Sequence, residues 1–391
     1  MPVEVKIIFF VKRRCYFQIT NLRGVRKRER GVNVIFPTDR EARRLLKKDK
    51  GLAEKIAQMF VVGFRGRALG KDHWLTAALK RHPPGGVILF DRNVDRSVQN
   101  IDSPSQLAAL TATLRQQSRT PLLIAVDQEG GMVCRLKERD GFLPSLSAAQ
   151  LASLGPEATA ASMEQLAAQL AAMGINLNFA PVVDLNLNPD NPIIARYQRS
   201  FGADPGVVVA HAQAVIEAHH RHRVACCLKH FPGHGSAGSD SHLGFVDVSS
   251  CWRPIELEPF RRLIAQGYDD GIMTAHLVNR QLDLSEIPAT LSPRMIDHLL
   301  RRDLGFTGVV FSDDLQMRAI SNGWSLGEAV QRAILAGVDM PVIGNNLEPR
   351  EDALAIGIHA VMDLLDSGRI GQHRIAASLT RISRLKQNIT G

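Results

Sequence analysis

From residue 52 onward the chain alternates short runs of aliphatic and β-branched residues with longer amphipathic stretches rich in Ala, Leu, Gln and Arg. Eight apolar runs stand at 59–63, 86–90, 122–126, 175–183, 225–229, 271–275, 308–311 and 338–343. Helical patterns at 106–117, 156–173, 207–222, 256–266 and 326–336 separate most of them. Buried parallel strands read as continuous apolar runs and need a helical crossover between neighbours, so this alternation predicts repeated βα units. Eight units predict an α/β fold of one kind, a single (β/α)8 TIM-type barrel. A doubly wound sheet is the alternative, but no Gly-x-Gly-x-x-Gly follows an early strand. The barrel is assigned to 51–391, after an N-terminal extension over 1–50.

Seven of the runs end in polar residues. They lead into Asp91, Arg92 and Asn93; into Asp127, Gln128 and Glu129; into Asp184 and Asn186; into Lys229 and His230; into His276; into Ser312, Asp313 and Asp314; and into Asn345 and Asn346. In a parallel barrel the carboxyl ends of all strands open on one mouth, where catalytic side chains of such enzymes stand. Turns are polar in any protein, but seven polar strand ends in one register predict a site there.

A formal net charge of +9 would suggest nucleic acid or an anionic membrane if it were spread over the chain. Instead, 1–50 holds 15 Lys+Arg against 5 Asp+Glu, leaving 33 against 34 in the remainder, so the body is close to neutral. The extension's apolar run at 7–11 is too short for a signal core or a membrane span. A poorly ordered extension is expected, against the competing reading of a basic arm for nucleic acid or anionic lipid. Neither a nucleic-acid partner nor a membrane span is expected for the body. Cys15, Cys134, Cys226, Cys227 and Cys251 make an odd count without Cys-x-x-Cys spacing, which fits a reducing cytoplasm. Cys226 and Cys227, inside the fifth run, are expected to be small buried hydrophobes. His211, His219, His220 and His222 lie on a crossover helix and are expected to form a solvated face, lacking the carboxylate or thiolate spacing of a metal site.

The segment 229–242, KHFPGHGSAGSDSH, carries most of the chemistry. In extended chain, positions i and i+2 share a side, so Asp240 can hold the His242 imidazole in one tautomer and raise its basicity. The second feature is the acidic pair Asp313 and Asp314 after an apolar strand, with Asp314 the better candidate for a helix cap. A carboxylate facing a second proton-transfer group across a pocket is what glycosidic bond cleavage needs. An imidazole of ordinary pKa about 6.5 exchanges protons near neutrality, so it can replace the usual second carboxylic acid. Asp127, Arg135, Arg199, Lys229 and His230 are of the types that grip sugar hydroxyls through charge-assisted hydrogen bonds.

Taken together, KHFPGHG followed by Asp-Ser-His, DQEGG at 127–131, QRSFG at 198–202, MTAH at 273–276 and FSDDLQM at 311–317 resemble the β-N-acetylglucosaminidases of glycoside hydrolase family 3. The resemblance runs from about residue 52 to the C-terminus and has no counterpart for the first fifty residues. It implies a retaining mechanism in which Asp313 is the nucleophile and His242, paired with Asp240, is general acid and then base. It also implies that Asp127, Arg135, Arg199, Lys229 and His230 hold the terminal N-acetylglucosamine. A cytoplasmic monomer acting on muropeptides in bacterial cell-wall recycling, with no metal or organic cofactor, is the resulting expectation. Met132 and Cys134 depart from the polar residues more usual in that motif. After the eighth strand, one closing helix from about Glu348 to Lys386 is expected, so the acid should come from within the barrel, on the Gly/Ser loop at 235–241 whose composition predicts mobility. Phosphorolysis is the alternative within the enzyme class, since a neutral imidazole repels phosphate less than a second carboxylate.

Overall fold

A computed structural model describes residues 6–11, 14–18, 50–240, 244 and 246–390. The chain divides into two units, Met1–Leu45 and Leu46–Gly391. In the first, β1 (Lys6–Val11) and β2 (Arg14–Gln18) pair antiparallel, with Lys6 opposite Gln18 and Val11 opposite Arg14. The apolar run of the basic extension is thus a hairpin strand. The remainder of the extension, and with it the expectation of poor order, lies outside the described residues.

In the second unit, β3 (Val61–Gly63), β4 (Gly86–Leu89), β5 (Leu123–Val126), β6 (Leu177–Asn178), β7 (Ala225–Phe231), β9 (Gly271–Thr274), β11 (Val309–Asp314) and β12 (Met340–Ile343) close a parallel barrel. All eight correspond to the apolar runs read from sequence. A minor parallel pair, β8 (Val246–Asp247) with β10 (Leu277–Val278), lies after β7 and β9. Every residue of β3, β4, β5, β7, β9 and β12 is buried, as a strand packed inside and outside must be. The ring order β11-β12-β3-β4-β5-β6-β7-β9 sets β5 diametrically opposite β11.

Several boundaries move for local reasons. Helices Pro104–Gln117 and Pro205–Arg221 begin earlier than their apolar periodicity, because Ser103 and Asp204 cap them and proline takes the first helical position. β6 is far shorter than the apolar run 175–183; Pro181 has no N–H to give a ladder, and only a bridge between Val182 and Lys229 continues the pairing. The single closing helix is in fact two, Ala353–Asp366 and Gln372–Thr390, divided where Gly368 adopts φ 69°. The second of them closes the floor: Lys386 Nζ donates to the Pro121 carbonyl at 2.7 Å, and Arg381 Nη1 meets the buried Asp339 Oδ1 at 3.0 Å.

Candidate active site

The DQEGG segment leaves β5 in extended form, so Asp127 and Glu129 face the pocket and Gln128 faces the protein. Buried Gln128 fastens the segment: its Oε1 accepts from the Arg135 and Leu136 amides at 2.9 Å each, and its own amide donates to Asn178 Oδ1 at 3.0 Å. Glu129 and Gly130 turn back on Val133 through hydrogen bonds of 3.0 and 3.1 Å. Of the two departures noted in this motif, Cys134 is structural, bonded to Gln128 and the Leu136 carbonyl, while Met132 is exposed on the turn.

Lys229 projects from β7 between these carboxylates, 2.8 Å from Asp127 Oδ1 and 2.7 Å from Glu129 Oε1. Arg199 grips Glu129 with Nε and Nη2, each at 2.7 Å. Burial alone would raise both carboxyls, but Lys229 and Arg135 beside Asp127, and Arg199 and Lys229 beside Glu129, outweigh it and hold both below their ordinary values. Burial works against the Lys229 ammonium in turn, and Asp127 and Glu129 more than offset it, raising its pKa. Two anions and two cations therefore lie interleaved and charged.

Arg199 Nη2 also lies 3.3 Å from His230 Nε2. A guanidinium only donates, so Nε2 is the acceptor and the imidazole proton sits on Nδ1, which donates to Asp184 Oδ2 at 2.6 Å. Asp184 Oδ1 takes the His234 amide at 2.8 Å, and burial pushes this carboxyl well above the usual range. Glu129 and Asp184 are the members sequence reasoning missed. Both stand in the strand-end series, and only their distances to Arg199, Lys229 and His230 reveal them.

Arg135 is held loosely, 3.9 Å from Asp91 and 3.8 Å from Asp127, with its guanidinium 5.6 Å from the centre of the Phe90 ring. Its buried Nε has no acceptor among the described residues, as suits a group that awaits a ligand. Across the ring, half-buried Asp313 is the penultimate residue of β11, and among the described residues its Oδ1 accepts only the Asp314 amide, at 2.7 Å. No cation pairs with it among the described residues. Asp314 is not a helix cap: its Oδ1 accepts from the Gln316 and Gly344 amides at 3.0 and 2.9 Å, tying β11 to the end of β12. Glycine is needed at 344, where a Cβ would come within 2.3 Å of Asp314 Oδ2. His276 steadies the same corner, its Nε2 donating to the Asp314 carbonyl at 2.9 Å.

The stem of the 229–242 segment is fixed by Glu256, which is buried. Its Oε2 accepts the Gly235 and Ser236 amides at 3.0 and 3.3 Å, and its Oε1 accepts the Ser236 hydroxyl at 2.6 Å. Gly233, at φ 119°, brings the turn against it; a Cβ there would lie 2.6 Å from Glu256 Cβ. His234 is buried in this turn, its carbonyl accepting Asn191 Nδ2 at 2.8 Å. Glu256→Ala strands these donors, and each buried one left unsatisfied costs about 1–3 kcal/mol. The expected result is a lower denaturant midpoint, with Glu256→Gln closer to wild type, read by equilibrium urea unfolding. Beyond the stem, Asp240 is half-buried, while its dyad partner His242 lies outside the described residues. The structure thus brings Asp127, Arg135, Arg199, Lys229 and His230 together, with Asp313 facing them across the mouth.

The crossover-helix histidines correct the expectation of a solvated face. His211 and His219 are buried. His219 is a satisfied core group, with Nδ1 donating to the Val215 carbonyl at 2.8 Å and Nε2 accepting from Asn178 Nδ2 at 3.0 Å, and burial lowers its pKa to about 4. His220 and His222 pair with Asp270 and Glu164, each at 2.6 Å. The cysteine doublet is fully buried, as expected.

A barrel whose mouth holds interleaved charges and, among the described residues, a carboxylate without a cation partner has the form of a glycoside hydrolase site. Residues 51–385 match the model of the glycosyl hydrolase family 3 N terminal domain, and the chain belongs to that family. It is 33% identical over 333 residues to beta-hexosaminidase A of Pseudoalteromonas piscicida, covering 81% of this chain and 55% of that relative. It is 41% identical over 284 residues to beta-hexosaminidase of Tolumonas auensis, covering 71% of this chain and 79% of that relative. A glycoside hydrolase family 3 beta-N-acetylglucosaminidase from Paenibacillus sp. superposes with a TM-score of 0.77 at 35% identity, covering 86% of this chain and 62% of that one. The chain therefore spans little more than half the length of some relatives and most of others.

Proposed function

We propose that the chain is a retaining exo-β-N-acetylglucosaminidase that removes terminal N-acetylglucosamine from peptidoglycan-derived muropeptides in the cytoplasm. The observation that carries this reading is Asp313, a strand-end carboxylate without a cation partner among the described residues, opposite the Asp127–Lys229–Glu129–Arg199 cluster. The cluster offers directional bonds to sugar hydroxyls, and the Asp313 carboxylate, without a cation partner among the described residues, is open to the anomeric carbon. The relatives' names support a hexosaminide as the substrate class.

In the proposed mechanism Asp313 attacks the anomeric carbon as the glycosidic bond breaks, and His242, held by Asp240, gives its proton to the departing oxygen. His242 then takes a proton from water, whose oxygen displaces the Asp313 carboxylate and restores the original anomer. Asp127, Arg135, Arg199, Lys229 and His230 hold the terminal sugar. The role of His242 rests on the Asp-x-His spacing and on the family relationship. Free thiols at Cys134, Cys226, Cys227 and Cys251 support the cytoplasmic assignment, and no helix among the described residues is long and apolar enough to cross a membrane.

The test is hydrolysis of a muropeptide-like disaccharide beside chitobiose, with the first anomer observed by NMR and phosphate present or absent. Faster release from the muropeptide analogue with the β-anomer first is expected. An α-anomer formed first sinks retention, and sugar 1-phosphate would move the assignment to phosphorolysis. His242→Ala is expected to slow poor leaving groups by about 10²–10⁴-fold and activated aryl glycosides far less, read from kcat across a leaving-group series.

A further inference from the structure

A cavity of about 560 Å3 opens at the end of the barrel opposite the mouth. Its walls are the connections that enter β5, β6 and β7, so it is built from segments that take no part in the glycosidase site. Arg115, Arg119 and Arg223 line it, with His222 beside them and Ile389 at one edge, and no Asp or Glu among the described residues is in the lining.

The nearest acids leave much of this charge uncompensated. Glu54 takes Arg119 Nη2 at 2.7 Å, and Glu164 takes His222 Nε2 at 2.6 Å while also holding Arg221. Arg115, exposed at the rim, donates only to the Gly174 carbonyl among the described residues, at 2.7 Å. Arg223 makes no side-chain hydrogen bond or ion pair among the described residues.

The backbone at Arg223 is the second observation. It follows helix Pro205–Arg221 and its cap His222 with φ 56°, its amide bonded to the His220 carbonyl at 2.9 Å. Glycine is the residue that takes this left-handed position without strain from a Cβ. An arginine there accepts the strain and delivers to a cavity already lined by two others a guanidinium without a partner among the described residues. Two guanidinium groups without a carboxylate partner among the described residues, beside Arg119 paired to Glu54, leave a net positive potential at one concavity, and planar guanidinium forks match the oxygens of a phosphate. The cavity lies within the size range of small-molecule sites, with room for an organic body beside the anion.

We propose that this basin is a binding site for a small dianionic ligand of the phosphate-monoester class, separate from the glycosidase mouth. The test is calorimetric titration of the full chain with inorganic phosphate in a low-salt chloride buffer. Saturable binding to wild type is expected. Loss of one charge-assisted contact should weaken it about tenfold in Arg115→Gln and in Arg223→Gly. Arg223→Gly suits the left-handed backbone, so it should unfold at no lower temperature than wild type, and its turnover of an aryl N-acetylglucosaminide should be unchanged. Absence of phosphate binding to wild type, or affinity unaltered in both variants, overturns the proposal.

Discussion

Asp313→Asn is expected to reduce turnover by a factor on the order of 10⁴ or more while leaving the fold intact, because the amide cannot form the glycosyl-enzyme. The geometry separates this residue from its neighbour. Asp313 Oδ1 accepts one backbone amide and faces the pocket, so an Asn side chain can keep that bond. Asp314 Oδ1 accepts the Gln316 amide of its own turn and the Gly344 amide at the end of β12, so Asp314→Ala should lower stability, by about 1–3 kcal/mol for each buried donor stranded. The measurement is a slow fluorinated substrate followed by intact-mass and peptide mapping. The expected label sits on Asp313 in wild type and is absent from Asp313→Asn. A label on Asp314 would overturn the assignment and, with it, the view that Asp314 is a strand tie.

The barrel was legible because most of its strands are buried throughout and several of the flanking helices carry their own caps, so apolar runs and start signals coincide with real elements. Ser147 and Ser325, each closing a capping box, show how local that information is. The failures were equally local. The run 175–183 has the composition of one strand, but Pro181 interrupts its ladder; no proline marks the break between Asp366 and Gln372 in the closing helix, where Gly368 is left-handed. At the site, sequence supplied residue types and strand-end positions, which brought out Asp127, Lys229, Arg199, His230 and Asp313. It could not supply pairings. Glu129 and Asp184 matter because of groups 70 and 46 residues away, at Arg199 and His230, and separations of that kind have no periodic signature. The crossover-helix histidines failed for the opposite reason: polar residue type suggested solvent, while Asn178 and Thr159 supplied buried partners from other elements.

Glu129→Ala is the second large effect expected, and it acts on stability as well as on substrate binding. Removal of Glu129 leaves Arg199 and Lys229 buried with Asp127 as their remaining close anion apart from Asp184, and breaking a buried pair from one side costs about 3–5 kcal/mol. Lys229 still has Asp127, which favours the lower part of that range; Arg199 loses both bonds to its bidentate partner, which favours the upper. The pH dependence comes from the directions of the shifts. Asp127 and Glu129 have folded values depressed below their ordinary ones, so their contribution is fully present above about pH 4 and is lost as pH falls through the folded values. Lys229 has a raised value, so its contribution is fully present below about pH 10 and is lost as pH rises through the folded value. The stability gap between wild type and Glu129→Ala is therefore expected to stay flat from about pH 5 to pH 10 and to narrow on acidification below that window. Urea unfolding across pH checks it. A gap that closes near neutrality would mean that the cluster is not charged as its geometry requires, whereas a flat gap with a raised KM would assign Glu129 to both holding the cluster and presenting Arg199 and Lys229 to the sugar.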